Sequence, residues 1–215
     1  MQLFYNKFIT ETSKEIKFDK EESKHLYKVL RKDIGDKLNI TNGLNYFFEA
    51  SINSISKSHC KVDIEKVIKD TPLSYSLHIA ISPLKSMERF EWFLEKSSEI
   101  GISEVTPIVC DRTEKKYIND KRLRKVLISA MKQSLKSHLP KLNPVKTLKE
   151  FYQNDFKEEL FIAHCNDTNK DLLLNAIKPK SSSVILIGPE GDFTNNEVNQ
   201  AIDLKFKPIS LGESR

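Results

Sequence analysis

The chain has 215 residues, of which 39% are hydrophobic and 30% are charged, as in an ordinary globular protein. It contains no run of about 20 apolar residues and no apolar signal segment at its start, which predicts a cytoplasmic protein without a membrane span. Its net charge of +5 favours a polyanionic partner such as a nucleic acid, although a lysine-rich surface without such a partner would give the same charge.

The three cysteines, Cys60, Cys110 and Cys165, are far apart in the sequence. They form no C-x-x-C pair, and none has a histidine at the spacing of a metal site. Each lies in or beside an apolar run, where a thiol packs as a small hydrophobic group. The sequence therefore predicts no metal ion. It also predicts no disulfide bond, because the number of cysteines is odd and the compartment is reducing.

Up to Asp70, the sequence predicts one helix and several short strands. These are the helix Lys20–Leu30 and the strands Lys37–Thr41, Leu44–Ile55 and Cys60–Glu65. The first two strands flank Asn42-Gly43, a pair typical of hairpin turns. A small β-barrel closes such a sheet, so residues 1–70 predict a barrel domain, with Asp70-Thr71-Pro72 as its linker.

From Tyr75 onward, strands and helices alternate. The predicted strands are Leu77–Ser82, Val105–Val109, Leu160–Ala163, Val184–Ile187 and Pro208–Leu211. The predicted helices are Glu88–Ile100, Asp120–Ser137, Lys170–Ile177 and Asn195–Asp203. This order predicts an α/β domain with a mostly parallel sheet covered by helices.

A glycine-rich loop follows the strand Val184–Ile187 and leads into the next helix. Thr194 and Glu197 have the spacing of a capping box, which fixes the start of that helix. Gly188 and Gly191 permit a tight turn and the close approach of a ligand. Ligands of open α/β sheets bind at the carboxyl ends of strands, so the loop is a candidate ligand site.

The loop has neither the Gly-Lys-Ser/Thr of a Walker A motif nor the pattern G-x-G-x-x-G. Glu190 and Asp192 would repel a pyrophosphate but would tolerate a cation. S-adenosylmethionine (SAM) carries a sulfonium and an ammonium group, so it is a candidate ligand. The pattern alone leaves open an ordinary strand-to-helix turn without a ligand.

The same loop resembles the signature of the RsmE-type family, SPOUT-superfamily methyltransferases that modify N3 of a uridine in 16S ribosomal RNA. The resemblance lies in Gly-Pro-Glu-Gly-Asp-Phe at Gly188–Phe193 with Glu197 behind it. One departure is Asp192, where many members have glycine. Further segments resemble motifs of this family in the same order, and these are His25–Arg31, Pro83–Lys85, Lys96–Gly101, Pro107, Arg112, Gln133–Ser134, Pro140 and Ser210–Arg215.

The resemblance implies a PUA-like, RNA-binding β-barrel at residues 1–70 and a SPOUT domain with a C-terminal trefoil knot at residues 73–215. It implies SAM-dependent methylation of N3 of a uridine in 16S ribosomal RNA of the small subunit, usually by a homodimer. The family continues past Arg215 with a helix that threads the knot. A non-catalytic RNA-binding factor for ribosome assembly is therefore the alternative, should that helix be absent.

The loop and the resemblance together give the candidate cofactor residues, which are Ile187, Gly188, Pro189, Glu190, Gly191, Leu211 and Gly212. Methylation of uracil N3 requires the loss of its proton, which needs a base or a cation that stabilises the imidate. Arg112 and Arg215 are the candidate cations, and Glu190 is the weaker candidate base. All three residues could instead have structural roles.

Two groups of basic residues are candidate RNA contacts. The first lies at the end of the N-terminal helix and contains His25, Lys28, Arg31 and Lys32. The second forms a stripe on the predicted helix Asp120–Ser137 and contains Lys121, Lys125, Lys132 and Lys136. Lysines on one helical face can follow phosphates, although a solvated face has the same pattern. The remaining histidines are interpreted as structural.

Overall fold

The computed structural model describes residues 2–166 and 170–212. The chain falls into two compact units. The first unit holds Met1–Pro72 together with Ile128–Leu139, and the second holds Leu73–Leu127 together with Pro140–Arg215. The sequence did not indicate that Ile128–Leu139 packs with the N-terminal residues. Within the described residues, no helix is long and apolar enough to cross a membrane.

The strands of the described residues are β1 (Leu3–Tyr5), β2 (Glu15–Phe18), β3 (Lys37–Thr41), β4 (Tyr46–Ile55), β5 (Cys60–Lys69), β6 (Leu77–Ile81), β7 (Glu104–Val109), β8 (Lys141–Leu142), β9 (Lys146–Thr147), β10 (Glu159–Ala163), β11 (Asp171–Leu172), β12 (Ser183–Ile187) and β13 (Lys207–Ser210). The α-helices are α1 (Lys20–Lys24), α2 (Met87–Ile100), α3 (Asp120–Gln133), α4 (Leu148–Phe151), α5 (Leu173–Ala176) and α6 (Asn195–Asp203).

The first unit is built on a sheet with the strand order β1-β3-β4-β5-β2, a half-barrel with β1 and β2 at its edges among the described residues. β3 and β4 pair in antiparallel fashion across the Asn42-Gly43 turn, as predicted. Gly43 adopts φ +75°, and a Cβ there would lie 2.8 Å from Cβ of Leu139. Only glycine therefore fits this turn.

The helix predicted at Lys20–Leu30 is only partly an α-helix. α1 ends at Lys24, and a π-helical turn covers His25–Val29, where the Leu30 N–H donates to the His25 carbonyl five residues back. Arg31 then ends the segment with φ +51°. Apolar periodicity does not separate these two helix types, because their repeats differ too little over one turn.

The helix predicted at Asp120–Ser137 ends earlier, at Gln133. The Ser134 hydroxyl donates to the Ala130 carbonyl at 2.7 Å, and Leu135 adopts φ +55°. The Lys136 N–H then closes the helix on the Met131 carbonyl. This local bonding by serine competes with helix continuation and explains the early end. Lys136 consequently lies beyond the helix.

The second unit is built on a sheet with the strand order β11-β13-β10-β12-β6-β7-β8, and β9 also pairs with β7. The pairs are parallel, as predicted. Ala163 lies opposite Ile187 of β12 and opposite Ile209 of β13. Because parallel strands end at the same edge, the carboxyl ends of β10, β12 and β13 lie side by side.

The helix predicted at Lys170–Ile177 is correct only for one turn, Leu173–Ala176. The chain forms the short edge strand β11, which pairs with β13, and then the single turn α5. Leu172 is 42% exposed and Leu174 is 84% exposed. The apolar periodicity of this segment therefore does not reflect a buried helical face. The segment of the knot expected after Arg215 lies outside the described residues.

Candidate functional site

A cavity of about 450 Å³ lies in the second unit, where β10, β12 and β13 end. Its volume is within the usual range for sites of small molecules. The strands and the loops that follow them line it with Ala163, His164, Cys165, Lys170, Ile187, Gly188, Pro189, Glu190, Asp192, Ile209, Ser210, Leu211 and Gly212. The position agrees with the rule for ligand sites in open α/β sheets.

The loop after β12 is folded back by a close contact between a glycine and an aromatic ring. A Cβ at Gly188 would lie 3.1 Å from the ring of Phe193, which is only 1% exposed in the core. A side chain at this position would therefore require the ring to shift by at least a few tenths of an ångström, and a branched one by more. Asp192 adopts φ +61°, a conformation that glycine and, among other residues, aspartate tolerate.

Asp192 binds two backbone groups. Its Oδ1 accepts from the Phe193 N–H at 2.8 Å, and its Oδ2 accepts from the Cys165 N–H at 2.7 Å. The carboxylate thus joins the loop after β12 to the loop after β10. These hydrogen bonds to a charged acceptor are of the stronger kind, so they hold two walls of the cavity in place.

The predicted capping box at the start of α6 is present. The Thr194 hydroxyl accepts from the Glu197 N–H at 3.3 Å, and the Glu197 carboxylate accepts from the Thr194 N–H at 2.8 Å. Glu197 is only 5% exposed, and its other oxygen accepts from the Asp111 N–H at 2.9 Å. This residue therefore fixes the end of β7 against the loop, a role that the sequence did not indicate.

Arg112 follows β7 and reaches the loop after β12. Its Nη1 donates to the Gly191 carbonyl at 2.8 Å. A Cβ at Gly191 would meet the aliphatic part of Arg112 at 3.4 Å, which is an ordinary contact. The neighbouring Thr113 is buried and accepts from the Cys110 N–H at 2.8 Å. Arg112 is thus held beside the loop by its own hydrogen bond and by a fixed turn.

Glu190 is exposed at the rim of the cavity. Its Oε1 accepts from the Lys85 N–H at 2.9 Å. The Lys85 ammonium in turn lies 3.1 Å from the Glu114 carboxylate. Glu190 therefore bonds the loop to the segment after β6, and its second oxygen has no hydrogen-bond partner in the part of the chain that the structure describes.

Six of the seven predicted cofactor residues line the cavity, namely Ile187, Gly188, Pro189, Glu190, Leu211 and Gly212. Gly191 does not line it and lies against Arg112 instead. Arg215 lies outside the described residues. Arg112 bonds to the Gly191 carbonyl, and Glu190 is the residue before Gly191 in the same loop. The structure thus brings these two candidate catalytic residues to one loop.

His164 is a feature of the cavity that the sequence did not reveal. It is 6% exposed, and neither ring nitrogen has a hydrogen-bond partner within residues 2–166 and 170–212. Burial, and then the Lys170 ammonium, lower the pKa of His164, while Asp192 acts in the opposite direction. The imidazole is therefore neutral near pH 7. Its place directly after β10 could have identified it, had the neighbours of β10 been known.

The buried cysteines are not nucleophiles. Burial raises the pKa of Cys60 to about 11 and that of Cys110 to about 12. Both thus remain protonated thiols near neutral pH, and a thiol is a poor nucleophile. Cys165 is exposed and lines the cavity. Within the described residues, no group of histidines, cysteines and carboxylates could hold a metal ion.

The first group of predicted RNA contacts lies around the π-helical turn of the first unit. His25 is half-buried, whereas Lys28 and Arg31 are exposed. Lys32 lies 3.6 Å from the Asp36 carboxylate. Lys28 and Arg31 have no ion-pair partner in the described part of the chain. Contact of this group with RNA stays a prediction.

The second group does not form the single helical stripe that the sequence predicts. Lys121 and Lys125 are exposed on the part of α3 that belongs to the second unit. Lys132 belongs to the first unit, where its ammonium lies 3.1 Å from the Glu22 carboxylate and 5.6 Å from the centre of the Phe4 ring. Lys136 lies beyond the helix, so only three of the four lysines lie on α3 as predicted. Contact of this group with RNA stays a prediction.

Two sequence profiles match the chain. A profile of the RNA methyltransferase domain matches residues 71–215, and a profile of the RNA methyltransferase PUA domain matches residues 18–65. The first match covers more than half of the chain and contains the whole cavity. The fold and the site together therefore define an RNA methyltransferase with an N-terminal PUA domain.

Individual relatives narrow this class. A ribosomal RNA small subunit methyltransferase E from Buchnera aphidicola is 34% identical over 91% of this chain and 79% of the relative. The protein of the same name from Rickettsia conorii is 27% identical over 99% and 88%, respectively. The chain belongs to the family of these ribosomal RNA small subunit methyltransferases E.

Solved structures agree with this assignment. A probable rRNA-methyltransferase from Porphyromonas gingivalis has a TM-score of 0.91 at 35% identity, with 100% of this chain and 91% of that chain covered. A protein from Legionella pneumophila, assigned as a methyltransferase and solved with bound SAM, has a TM-score of 0.85 at 26% identity. That comparison covers 99% of this chain and 90% of the other.

Proposed function

We propose that this chain transfers the methyl group of SAM to N3 of a uridine in 16S ribosomal RNA of the small subunit. The observation that carries the proposal is the cavity at the ends of β10, β12 and β13, which is lined by six of the seven residues expected to hold the cofactor. The Legionella relative with the same fold is a SAM complex, which supports the same ligand here.

The chemistry of the cavity suits a cationic ligand of this size. Glu190 and Asp192 place carboxylates at its wall, and the Lys170 ammonium is held by the backbone carbonyls of His164 and Asn166 at 2.5 and 2.8 Å. Carboxylates favour a sulfonium and disfavour a pyrophosphate. Gly188, Leu211 and Gly212 also line the cavity and would hold the rest of the cofactor. When bound, SAM supplies an electrophilic methyl group on its sulfonium.

The uracil N3 proton must be lost during the reaction, and its pKa lies well above 7. Arg112 would stabilise the resulting negative charge, because one donor of its guanidinium fixes it at the loop and its other donors have no partner among the described residues. Glu190, with one oxygen committed to the Lys85 N–H, would act as a weaker base through the other. Arg215 would add a second cation.

The proposed substrate needs a binding surface for RNA beyond the cavity. The exposed cations Lys28 and Arg31 in the first unit, and Lys121 and Lys125 in the second, would bind phosphates. His25 and Lys32 would add RNA contacts beside Lys28 and Arg31. Lys132 and Lys136 would contribute less to RNA binding than Lys121 and Lys125. We further propose that the active form is a homodimer acting on the small subunit in the cytoplasm.

The test is a methylation assay with isotopically labelled SAM and isolated small ribosomal subunits that lack the modification. We expect labelled 16S ribosomal RNA and a reverse-transcription stop at one uridine, because methylation at N3 blocks base pairing. Naked 16S ribosomal RNA serves as the comparison substrate. Label in a protein or in large-subunit RNA, with none in 16S ribosomal RNA, would contradict the proposal.

A further inference from the structure

His164 stands out because its imidazole is buried without a partner. It is 6% exposed at the wall of the cavity, and both ring nitrogens lack hydrogen bonds within residues 2–166 and 170–212. A buried polar group without a partner destabilises a fold, so folded proteins rarely keep one without a functional reason. Without a ligand, the unpaired imidazole therefore lowers the free energy of unfolding.

A half-buried histidine in the sheet of the second unit, His78, provides a comparison. His78 of β6 has its Nε2 2.7 Å from the Thr106 hydroxyl, and Glu104 lies 4.0 Å away. The imidazole of His78, which does not line the cavity, is thus held by a neighbouring strand. The imidazole of His164, in the wall of the cavity, has no such partner among the described residues.

The groups around His164 are themselves already bonded. The Lys170 ammonium donates to the backbone carbonyls of His164 and Asn166, and the Asp192 carboxylate accepts from two backbone N–H groups. Within the described residues, neither of these charged groups forms a hydrogen bond with the imidazole. One ring nitrogen of a neutral imidazole donates and the other accepts, so it suits an uncharged hydroxyl or amino group.

We infer that His164 is a binding residue for the cofactor, and that its neutral imidazole makes a hydrogen bond to an uncharged polar group of SAM. A neutral ring supplies this bond without adding a positive charge next to a cationic ligand, which a lysine or arginine at the same position would do. The inference rests on the proposed function, because it takes SAM as the ligand of this cavity.

The experiment replaces the imidazole with an apolar group of similar size, His164→Leu, and measures two quantities. Calorimetric titration with SAM is expected to give an affinity about tenfold weaker than that of the wild type, the loss of one hydrogen bond. Thermal unfolding without ligand is expected to give an unchanged or higher midpoint, because an unsatisfied buried group has been removed. His164→Gln, which keeps a donor and an acceptor, should recover part of the affinity.

The matched control is His78→Leu, which removes a half-buried histidine that does have a partner. It should lower the unfolding midpoint and leave the affinity for SAM unchanged. The inference is overturned if His164→Leu behaves in this same way or does not fold, since the imidazole would then serve the fold. It is also overturned if His164→Leu binds SAM as tightly as the wild type.

A measurement on the wild-type protein separates this inference from the proposed function. The ring nitrogen signals of His164, labelled with ¹⁵N and assigned through His164→Gln, should shift when SAM is added, while those of His78 should not. Binding of SAM without a shift of His164 overturns the inference alone. Absence of SAM binding by the wild type overturns the proposed function and, with it, the inference.

Discussion

At the loop after β12, the side chains of Glu190 and Asp192, which belong to the loop, and of Arg112, which reaches it from the end of β7, all bond to backbone groups. In the first unit, by contrast, Lys28 and Arg31 have no ion-pair partner among the described residues. Bonded side chains fix the shape of a site, whereas side chains left without a partner are available for a ligand. Substitutions in the loop should therefore change geometry, and substitutions in the basic segment should change only affinity for a polyanion.

Gly188→Val should have the largest effect. The added side chain must displace the ring of Phe193, which a Cβ alone would approach to 3.1 Å. We expect the affinity for SAM, measured by calorimetry, to fall by about 100-fold or more, which corresponds to about 2.8 kcal/mol. Gly191→Ala is the matched control, because its Cβ would make only an ordinary contact at 3.4 Å. Wild-type affinity in Gly188→Val would mean that the loop does not shape the site.

Arg112→Gln tests whether a side chain bonded to the loop also takes part in the reaction. The rate of methyl transfer at saturating SAM should fall by about 100-fold, as is typical when one charge-stabilising donor is removed. The affinity for SAM should fall much less than the rate.

Arg122→Gln serves as its control, because Arg122 is exposed and bonds to Glu91 outside the cavity. Its rate should equal that of the wild type. An Arg112→Gln enzyme with a wild-type rate would restrict Arg112 to bracing the Gly191 carbonyl.

Glu197→Ala should reduce stability. The buried carboxylate accepts from the N–H groups of Asp111 and Thr194, and its loss leaves both donors without a partner. We expect the free energy of unfolding in urea to fall by about 2 kcal/mol. Glu150→Ala removes the equivalent capping box at the exposed start of α4, and it should lower the free energy of unfolding by less. Equal losses would show that the contact with Asp111 contributes nothing.

Lys28→Gln should have the smallest effect, on the salt dependence of RNA binding. If Lys28 contacts a phosphate, the slope of log affinity against log salt concentration becomes less steep by about 0.7–0.9. Fluorescence anisotropy with a fragment of 16S ribosomal RNA measures this slope. Lys132→Gln should leave it unchanged, because Lys132 already pairs with Glu22. The reverse outcome would exchange the roles assigned to the two lysines.

Local signals in the sequence predicted much of the second unit. The start of α6 was predicted to the residue, because Thr194 and Glu197 form their capping box within one turn. The end of α2 at Ile100 was likewise predicted to the residue, and Gly101 follows it in the left-handed conformation. The loop Gly188–Phe193 was identified by its glycines and by family resemblance, and most of its residues do line the cavity. In each of these cases the determining contacts join residues close together in the sequence.

The features that the sequence did not predict depend on distant partners. Lys132 was interpreted as a free cation, but its partner Glu22 is 110 residues away. His164 was interpreted as structural, because its significance depends on which strands flank β10. The exposure of Leu174 likewise depends on the position of β11 at the edge of the sheet. Periodicity within a segment carries no information about such neighbours.

The division of the chain also affects the order in which it folds during synthesis. Ile128–Leu139 belongs to the first unit, where the Leu139 N–H bonds to the Gly43 carbonyl and the Asp70 carboxylate accepts from the Ser137 hydroxyl. At a translation rate of ~5–20 residues per second, these residues emerge on the order of 3–13 s after Pro72. The nascent N-terminal sheet must therefore wait, with its Gly43 turn uncovered, until a later stretch of the chain leaves the ribosome.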